Sequence, residues 1–458
     1  MNDNDQNNGV NRRDFLRGGS LATLMTMLGG VELLAQSADK PADAKPAGAK
    51  VKLALIGCGV WGREILKTLG SQSLAEVVAI CDTYPAAMRK CATDAPGAKQ
   101  VADYKAILED KSVQAVFIAT PPMQHRDIAI EALKAGKHVY CEAPLAHTIE
   151  DAKAIALAAK AAPKQIFQAG LQMRSDAQRH FLLPFIRSGA LGTSIMGRAQ
   201  WHKKQSWRAA SPNPDREKAL NWRLDRKTSH GLMGEIGIHQ VDQAGWFLNA
   251  RPVAVTGFHS LVKWNDGRDV PETIHAVIEF PKGVHYTYDA TLANSFDADY
   301  EVYFGADAAV MMRENKAWMF KEVDSPLLGW EVYAKKEQFY RETGIALVAG
   351  ASKQEKLLEK QGDAVPLKST PLYQALENFL TNVFAQDIAI QQFVESFGAD
   401  ADEAALIAQL EKETVPRRAK FPFASALEGF QATVTAIKAN EAILSGQRLE
   451  FKDEWYQL

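Results

Sequence analysis

Between residues 50 and 145 four short apolar runs recur: Leu53–Ile56, Val77–Cys81, Val113–Thr120 and His138–Glu142. Polar stretches of helical pattern separate them, a helix opening after Gly62, others at Tyr84–Thr93 and Tyr104–Leu108, and one at Ile128–Ala135 stopped by Gly136. Near-continuous apolar strands alternating with helices predict a doubly wound parallel sheet, the α/β class. Ligands of such sheets lie at the carboxyl ends of the strands.

The pattern changes after residue 148. An alanine-rich helix is predicted at Ile149–Ala162 and another at Ala177–Ser188, before Gly189. Segments of mostly alternating polarity follow at Ile195–Lys203, Val253–Trp264, Thr273–Phe280, Val284–Leu292, Tyr300–Gly305, Ala309–Arg313 and Trp318–Val323. Alternation marks strands with one wet face, so a large, mainly antiparallel sheet is expected, an α+β domain. Helices at Leu372–Phe384, Glu403–Glu413 and Ala424–Ser445 complete the chain. The division predicted is 51–148 for the nucleotide fold and 149–458 for a substrate and oligomerisation domain. The 386–420 segment reads as an insertion without chemistry.

Residues 1–37 read as an export signal. Arg12-Arg13 precedes an uncharged stretch from Gly18 to Val31, and Ala35-Gln36-Ser37 supplies small residues for cleavage. This is the twin-arginine type, which implies a periplasmic location and no membrane span after processing. Residues 38–50, rich in Ala, Lys, Pro, Asp and Gly, read as a linker. The rest is long enough for two cores. With 53 basic against 55 acidic residues and no basic block, nucleic acid is not an expected partner. The four cysteines, Cys58, Cys81, Cys91 and Cys141, lack metal-site spacing and read as buried thiols.

The first strand breaks into G-x-G-x-x-G at Gly57, Gly59 and Gly62, with Val60 and Trp61 between. The first glycine permits a tight turn, the second lets backbone approach a pyrophosphate, and the third lets helix and strand pack closely. The phosphates then face the unpaired N–H groups of the helix N-terminus. Asp82 ends the second run, where a carboxylate can hold both ribose hydroxyls of an adenosine. It would repel a 2′-phosphate, so NAD is expected rather than NADP. Gly57, Asp82, Thr120, Pro121, His125 and Glu142 should line one crevice.

The runs Ala119-Thr120-Pro121-Pro122-Met123-Gln124-His125 and Ala135-Gly136-Lys137-His138-Val139-Tyr140-Cys141-Glu142-Ala143-Pro144 resemble the glucose–fructose oxidoreductase / inositol dehydrogenase (Gfo/Idh/MocA) family. The resemblance implies a sugar-directed oxidoreductase with bound NAD, and a homo-oligomer. It also implies that Gln168–Arg174 re-enters the cleft, bringing Gln172 and Arg174 to the cofactor. The family's motif at Glu142-Ala143-Pro144 is Glu-Lys-Pro, with the lysine beside the nicotinamide; this chain has Ala143. Lys203 and Lys204 are candidates to supply the missing ammonium.

An aromatic and polar loop holding Trp201, His202, Lys203, Lys204, Trp207, Asn221, Trp222 and Arg223 has the mix of rings and donors that a sugar needs. Trp222, His202, Lys203 and Arg223 are the expected substrate contacts. In Gly234–Asp242, Glu235 and His239 stand at i and i+4 on a helix, where the carboxylate would orient a basic imidazole. The family usually has Asp and His at these two positions. Hydride chemistry needs no metal, and none is expected. An exported enzyme without a recycling pool should keep its nucleotide and finish each cycle redox-neutral. It could couple two sugars, or hydrolyse glycosides by oxidation, elimination, hydration and reduction, as some relatives do. A non-catalytic protein binding NAD and sugar is the third reading.

Overall fold

The structure, a computed structural model, describes residues 50–328, 331, 334, 336–339, 342–347, 368, 370–398 and 401–458. The export signal and nearly all of the linker lie outside the described residues.

Strands β1 (Val51–Ile56), β2 (Ala75–Cys81), β3 (Lys99–Val101), β4 (Ala115–Ile118), β5 (His138–Cys141) and β6 (Phe167–Ala169) form an all-parallel sheet in the order β3-β2-β1-β4-β5-β6. This is the expected doubly wound order: strands are added outward in one direction from β1 to β3 and in the other from β4 to β6, so the switch point lies between β1 and β4. Leu53, Leu55, Phe117 and Tyr140 are fully buried on one face of the sheet. Leu376, Phe379 and Val383 cover them from the distant helix Pro371–Phe397, and the Phe379 ring meets Phe117 edge-on at 5.2 Å. Burial of each such side chain contributes about 1.5–3 kcal/mol. All four cysteines are buried and free.

Among the described residues the second sheet adds β7 (Ser194–His202), β8 (Ala254–Ser260), β9 (Thr273–Phe280), β10 (Val284–Thr291), β11 (Asp299–Gly305), β12 (Ala308–Arg313), β13 (Lys316–Lys321), β14 (Lys336–Phe339), β15 (Glu342–Ala346) and β16 (Leu449–Glu450), in the order β14-β15-β13-β12-β11-β7-β10-β9-β8-β16. Its centre is β7 (Ser194–His202), parallel to β10 (Val284–Thr291) and antiparallel to β11 (Asp299–Gly305). Ala199, Tyr286, Tyr288 and Ala290 point to one face, which packs on the helices Ala177–Arg187, Ile238–Leu248 and Ala426–Ser445. The last of these helices joins the two cores: Phe430 and Val434 pack under the parallel sheet, Ala439 and Ile443 under the large one. The 386–420 segment includes the helix Glu403–Lys420, whose Leu406 and Leu410 pack on Ala389 and Phe393. Among the described residues no helix is long and apolar enough to cross a membrane.

Candidate active site

The glycine turn is built as a phosphate cradle. Gly57 has φ +104°, and a Cβ there would lie 2.6 Å from Ala119 O. A Cβ at Gly62 would lie 1.9 Å from Gly57 O, so helix and turn are in contact. A Cβ at Gly59 would meet nothing within 4 Å, which leaves open space in front of the backbone. The helix Val60–Leu69 starts there without a side-chain cap and without an acidic residue in its first turn, so its leading N–H groups are left for an anion. Val60 is 93% and Trp61 39% exposed beside it.

Asp82 stands at the tip of β2. Its Oδ2 accepts the Cys58 N–H at 2.9 Å and its Oδ1 the Tyr84 N–H at 2.7 Å. Two backbone donors fix the carboxylate, and each oxygen keeps a lone pair for a ribose hydroxyl. These features fit a dinucleotide.

Glu142, at the end of β5, is buried, and burial pushes its carboxyl up to about 7 although Trp61, the Ala143 N–H, Tyr140 and Gln172 draw it down. Its Oε1 has no hydrogen-bond partner, nor has the buried Thr120 hydroxyl. Two orphaned polar atoms at the strand ends are what a bound ligand would satisfy. A Cβ on Gly170 would come 2.4 Å from Glu142 Oε2, so glycine is required where the chain passes. The neighbouring Pro121 carbonyl accepts the Gln124 N–H and starts the turn before the helix His125–Lys134.

Two expected cofactor contacts have other work. His125 is 1% exposed, with its ring nitrogens 3.1 Å from Pro144 O and 2.8 Å from Thr120 O. The ring sits between the backbone carbonyls of two strand-end loops and has almost no surface left for a cofactor. Arg174 is spent on Asp242, Nε and Nη2 each donating at 2.8 Å, with Trp246 under its guanidinium at 5.6 Å. Burial makes this forked pair exacting: Asp242 is pushed up by desolvation and pulled back by Arg174.

That pair has a consequence for His239. His239 and Asp242 are three residues apart in the helix Ile238–Leu248, on one flank. Asp242 docks on Arg174, two residues beyond Gln172, which itself bonds the strand-end acid Glu142. Burial and then the Arg179 charge push the His239 imidazole down to about 4, leaving it neutral. Arg179, which sequence reasoning missed, is buried and held by Asp176 Oδ2 at 2.6 Å and by Gln243. Its only signal was the acid three residues before it on one helix.

Glu235 does not orient His239. Its segment, Met233–Gly237, is a turn of π-helix, which breaks the i, i+4 register. Its Oε2 accepts Arg223 Nε at 3.0 Å and its Oε1 lies 3.5 Å from Ser229 Oγ. Arg223 also lies 4.3 Å above the Trp222 ring, so Trp222, Arg223 and Glu235 form one wall. His202 is on the other side of the sheet. It alternates with Trp201 of the helix-packed face and bonds Asp289 Oδ2 at 2.6 Å, next to inward Tyr288. Lys203 and Lys204 are exposed beyond the end of β7, where their backbone N–H groups bond Thr291 O and Ser295 Oγ. Arg223 is the cation placed beside the predicted catalytic segment.

Comparison with known proteins agrees with this geometry. Residues 51–170 match the family profile described as "Oxidoreductase family, NAD-binding Rossmann fold", and residues 184–308 match the "GFO/IDH/MocA C-terminal domain". The inositol 2-dehydrogenase of Salmonella typhimurium is 32% identical over 204 residues, 43% of this chain. That match spans about half, 55%, of the relative's own length. An oxidoreductase domain protein from Kribbella flavida has the same fold, with a TM-score of 0.64 at 20% identity, over 88% of this chain and 100% of that one. A levoglucosan dehydrogenase solved with NADH and levoglucosan gives 0.63 at 20% identity, over 88% and 99%. The two family profiles together take in more than half of the sequence, and the chain belongs to the Gfo/Idh/MocA family.

Proposed function

We propose that this protein is an exported, NAD-dependent oxidoreductase that acts on a sugar or sugar derivative and keeps its cofactor through the cycle. One observation supports the reading: Asp242, on the helix flank that also carries a neutral His239, is docked on Arg174, two residues beyond the Gln172 that bonds the strand-end acid Glu142. Gly57, Gly59, Gly62, Asp82, Thr120 and Glu142 would hold the cofactor, and NAD when bound supplies the hydride acceptor. His239 takes the proton of the sugar hydroxyl as the carbonyl forms. Trp222 and Arg223 line the sugar. The periplasmic location rests on the Arg12-Arg13 signal. A homo-oligomer is supported by apolar side chains on the outer sheet, with Phe258 68% and Met196 44% exposed.

A second reading, an NAD-retaining glycosidase, is favoured by Ala143 at the family's lysine position. Oxidation at C3 acidifies the C2 proton, which a base such as His239 removes to expel the aglycone; water then adds and the hydride returns. One experiment separates the two. Purified protein is analysed for bound nucleotide, then offered free sugars and aryl glycosides while the reduced-nicotinamide absorbance is followed. Oxidised sugar without aglycone supports the oxidoreductase. Aglycone release with no net NADH and with solvent deuterium at C2 supports the glycosidase. Spectral shifts with neither product would leave a binding protein.

A further inference from the structure

The connection between β7 and the π-helical turn does more than carry Trp222 and Arg223. It is a fixed structure. Arg208 Nε bonds Asp266 Oδ2 at 2.9 Å, and Asp266 also receives Arg268 at 2.6 Å. Asn221 closes the loop on itself, accepting the Ala209 N–H and donating to Ala209 O, both at 2.8 Å. Within it the short helix Pro214–Leu220 is capped by Asn213, whose Oδ1 accepts the Arg216 N–H at 2.9 Å.

This helix reaches back to the other domain. Arg216 lays its guanidinium on the Tyr84 ring, with Cζ 3.8 Å from the centroid. Tyr84 is the residue whose N–H fixes Asp82, the ribose-binding acid. Arg216 Nε is buried and has no hydrogen-bond partner. A buried guanidinium N–H without an acceptor is costly, and here it lies against the residue that shoulders Asp82. Arg216 as a whole is only partly buried, so the remaining N–H groups of its fork are the ones that a hydroxyl or ring nitrogen of an adenosine would meet.

We propose that Arg216, carried by the second domain, completes the adenosine end of the cofactor site: stacked on Tyr84, it donates to the adenine–ribose half of the dinucleotide. This rests on reading the crevice as an NAD site. The same connection then touches both ends of the cofactor, Arg216 at the adenosine and Arg223 beside the reacting end. The nucleotide leaves only when this segment lifts, which gives retention a structural basis.

The test strips wild type, Arg216→Ala and Arg216→Gln of any copurified nucleotide, confirms the loss by absorbance, and titrates each with NAD, AMP and nicotinamide mononucleotide by calorimetry, with the apo melting temperature of each as the folding control. Arg216→Gln keeps a stem over Tyr84 and loses the charge, which guards against a failed alanine variant. The expected result is about tenfold or more weaker binding of NAD and AMP in both variants, with nicotinamide mononucleotide unchanged. Equal AMP affinity in variants and wild type would overturn the assignment and leave Arg216–Tyr84 an interdomain clasp. An equal loss for nicotinamide mononucleotide would also overturn it, since the effect would not belong to the adenosine. Wild type that binds neither NAD nor AMP would take down the cofactor reading itself.

Discussion

Arg223 Nε lies 3.0 Å from Glu235 Oε2, and this ion pair joins the carboxylate to the wall formed with Trp222 instead of making it an orienting partner for His239. Glu235 is buried while Arg223 is half open to solvent, so the pair can present guanidinium donors to a ligand without leaving the carboxylate unpaired. Among the described residues no carboxylate is bonded to His239. Its neutrality comes from burial and from Arg179.

The first expectation concerns acid. His239 stays neutral in the folded chain down to about 4. The acid limb that it contributes to kcat/KM should lie near that value, well under the usual histidine range. Glu235→Gln should leave this limb in place and raise KM; a limb that moves would show that Glu235 does act through His239. His239→Ala should leave NAD bound and slow turnover by about 10²–10⁴-fold. The stability of the folded chain should follow the same sign. The unfolded imidazole takes its proton first, so the contribution is present above the unfolded value near 6.5 and is lost as pH falls toward about 4.

Glu142 should act in the opposite direction. Its folded value of about 7 is above the unfolded value of 4.5, so its contribution is present below 4.5 and lost as pH rises through about 7. Apo Glu142→Gln should therefore gain melting temperature relative to wild type between pH 5 and pH 8. A difference that does not vary with pH would contradict the burial argument.

Asp82 should select the cofactor. Asp82→Asn keeps an acceptor for one of the two amides and removes the charge that opposes a 2′-phosphate. NAD should bind about tenfold more weakly and the preference over NADP should narrow, read as dissociation constants. NADP found at full occupancy in native protein would reverse the assignment.

Export should depend on Arg12 and Arg13 together. Arg12→Lys with Arg13→Lys should trap the precursor, with its nucleotide, in the cytoplasm, as seen by fractionation and immunoblotting. Undiminished delivery would break the link between cofactor loading and the export route.

The sequence by itself determined what local spacing can determine. The runs Leu53–Ile56 and Val77–Cys81, the three glycines and Asp82 specify a parallel sheet and a phosphate turn, because turn sterics and strand burial act over a few residues. Alternation in Thr273–Phe280 and Val284–Thr291 specifies strands of the second sheet for the same reason. Partnership across elements was decided elsewhere. Arg174 finds Asp242 68 residues on, and His125 turns inward onto two backbone carbonyls. His202 falls on the far face because β7 packs Ala199 and Trp201 against the helices. A π-turn redirects Glu235 to Arg223, and Arg216 crosses to Tyr84 in the other domain. Spacing limits which side chains can share a face; which charge meets which is fixed only when packing removes the water between them.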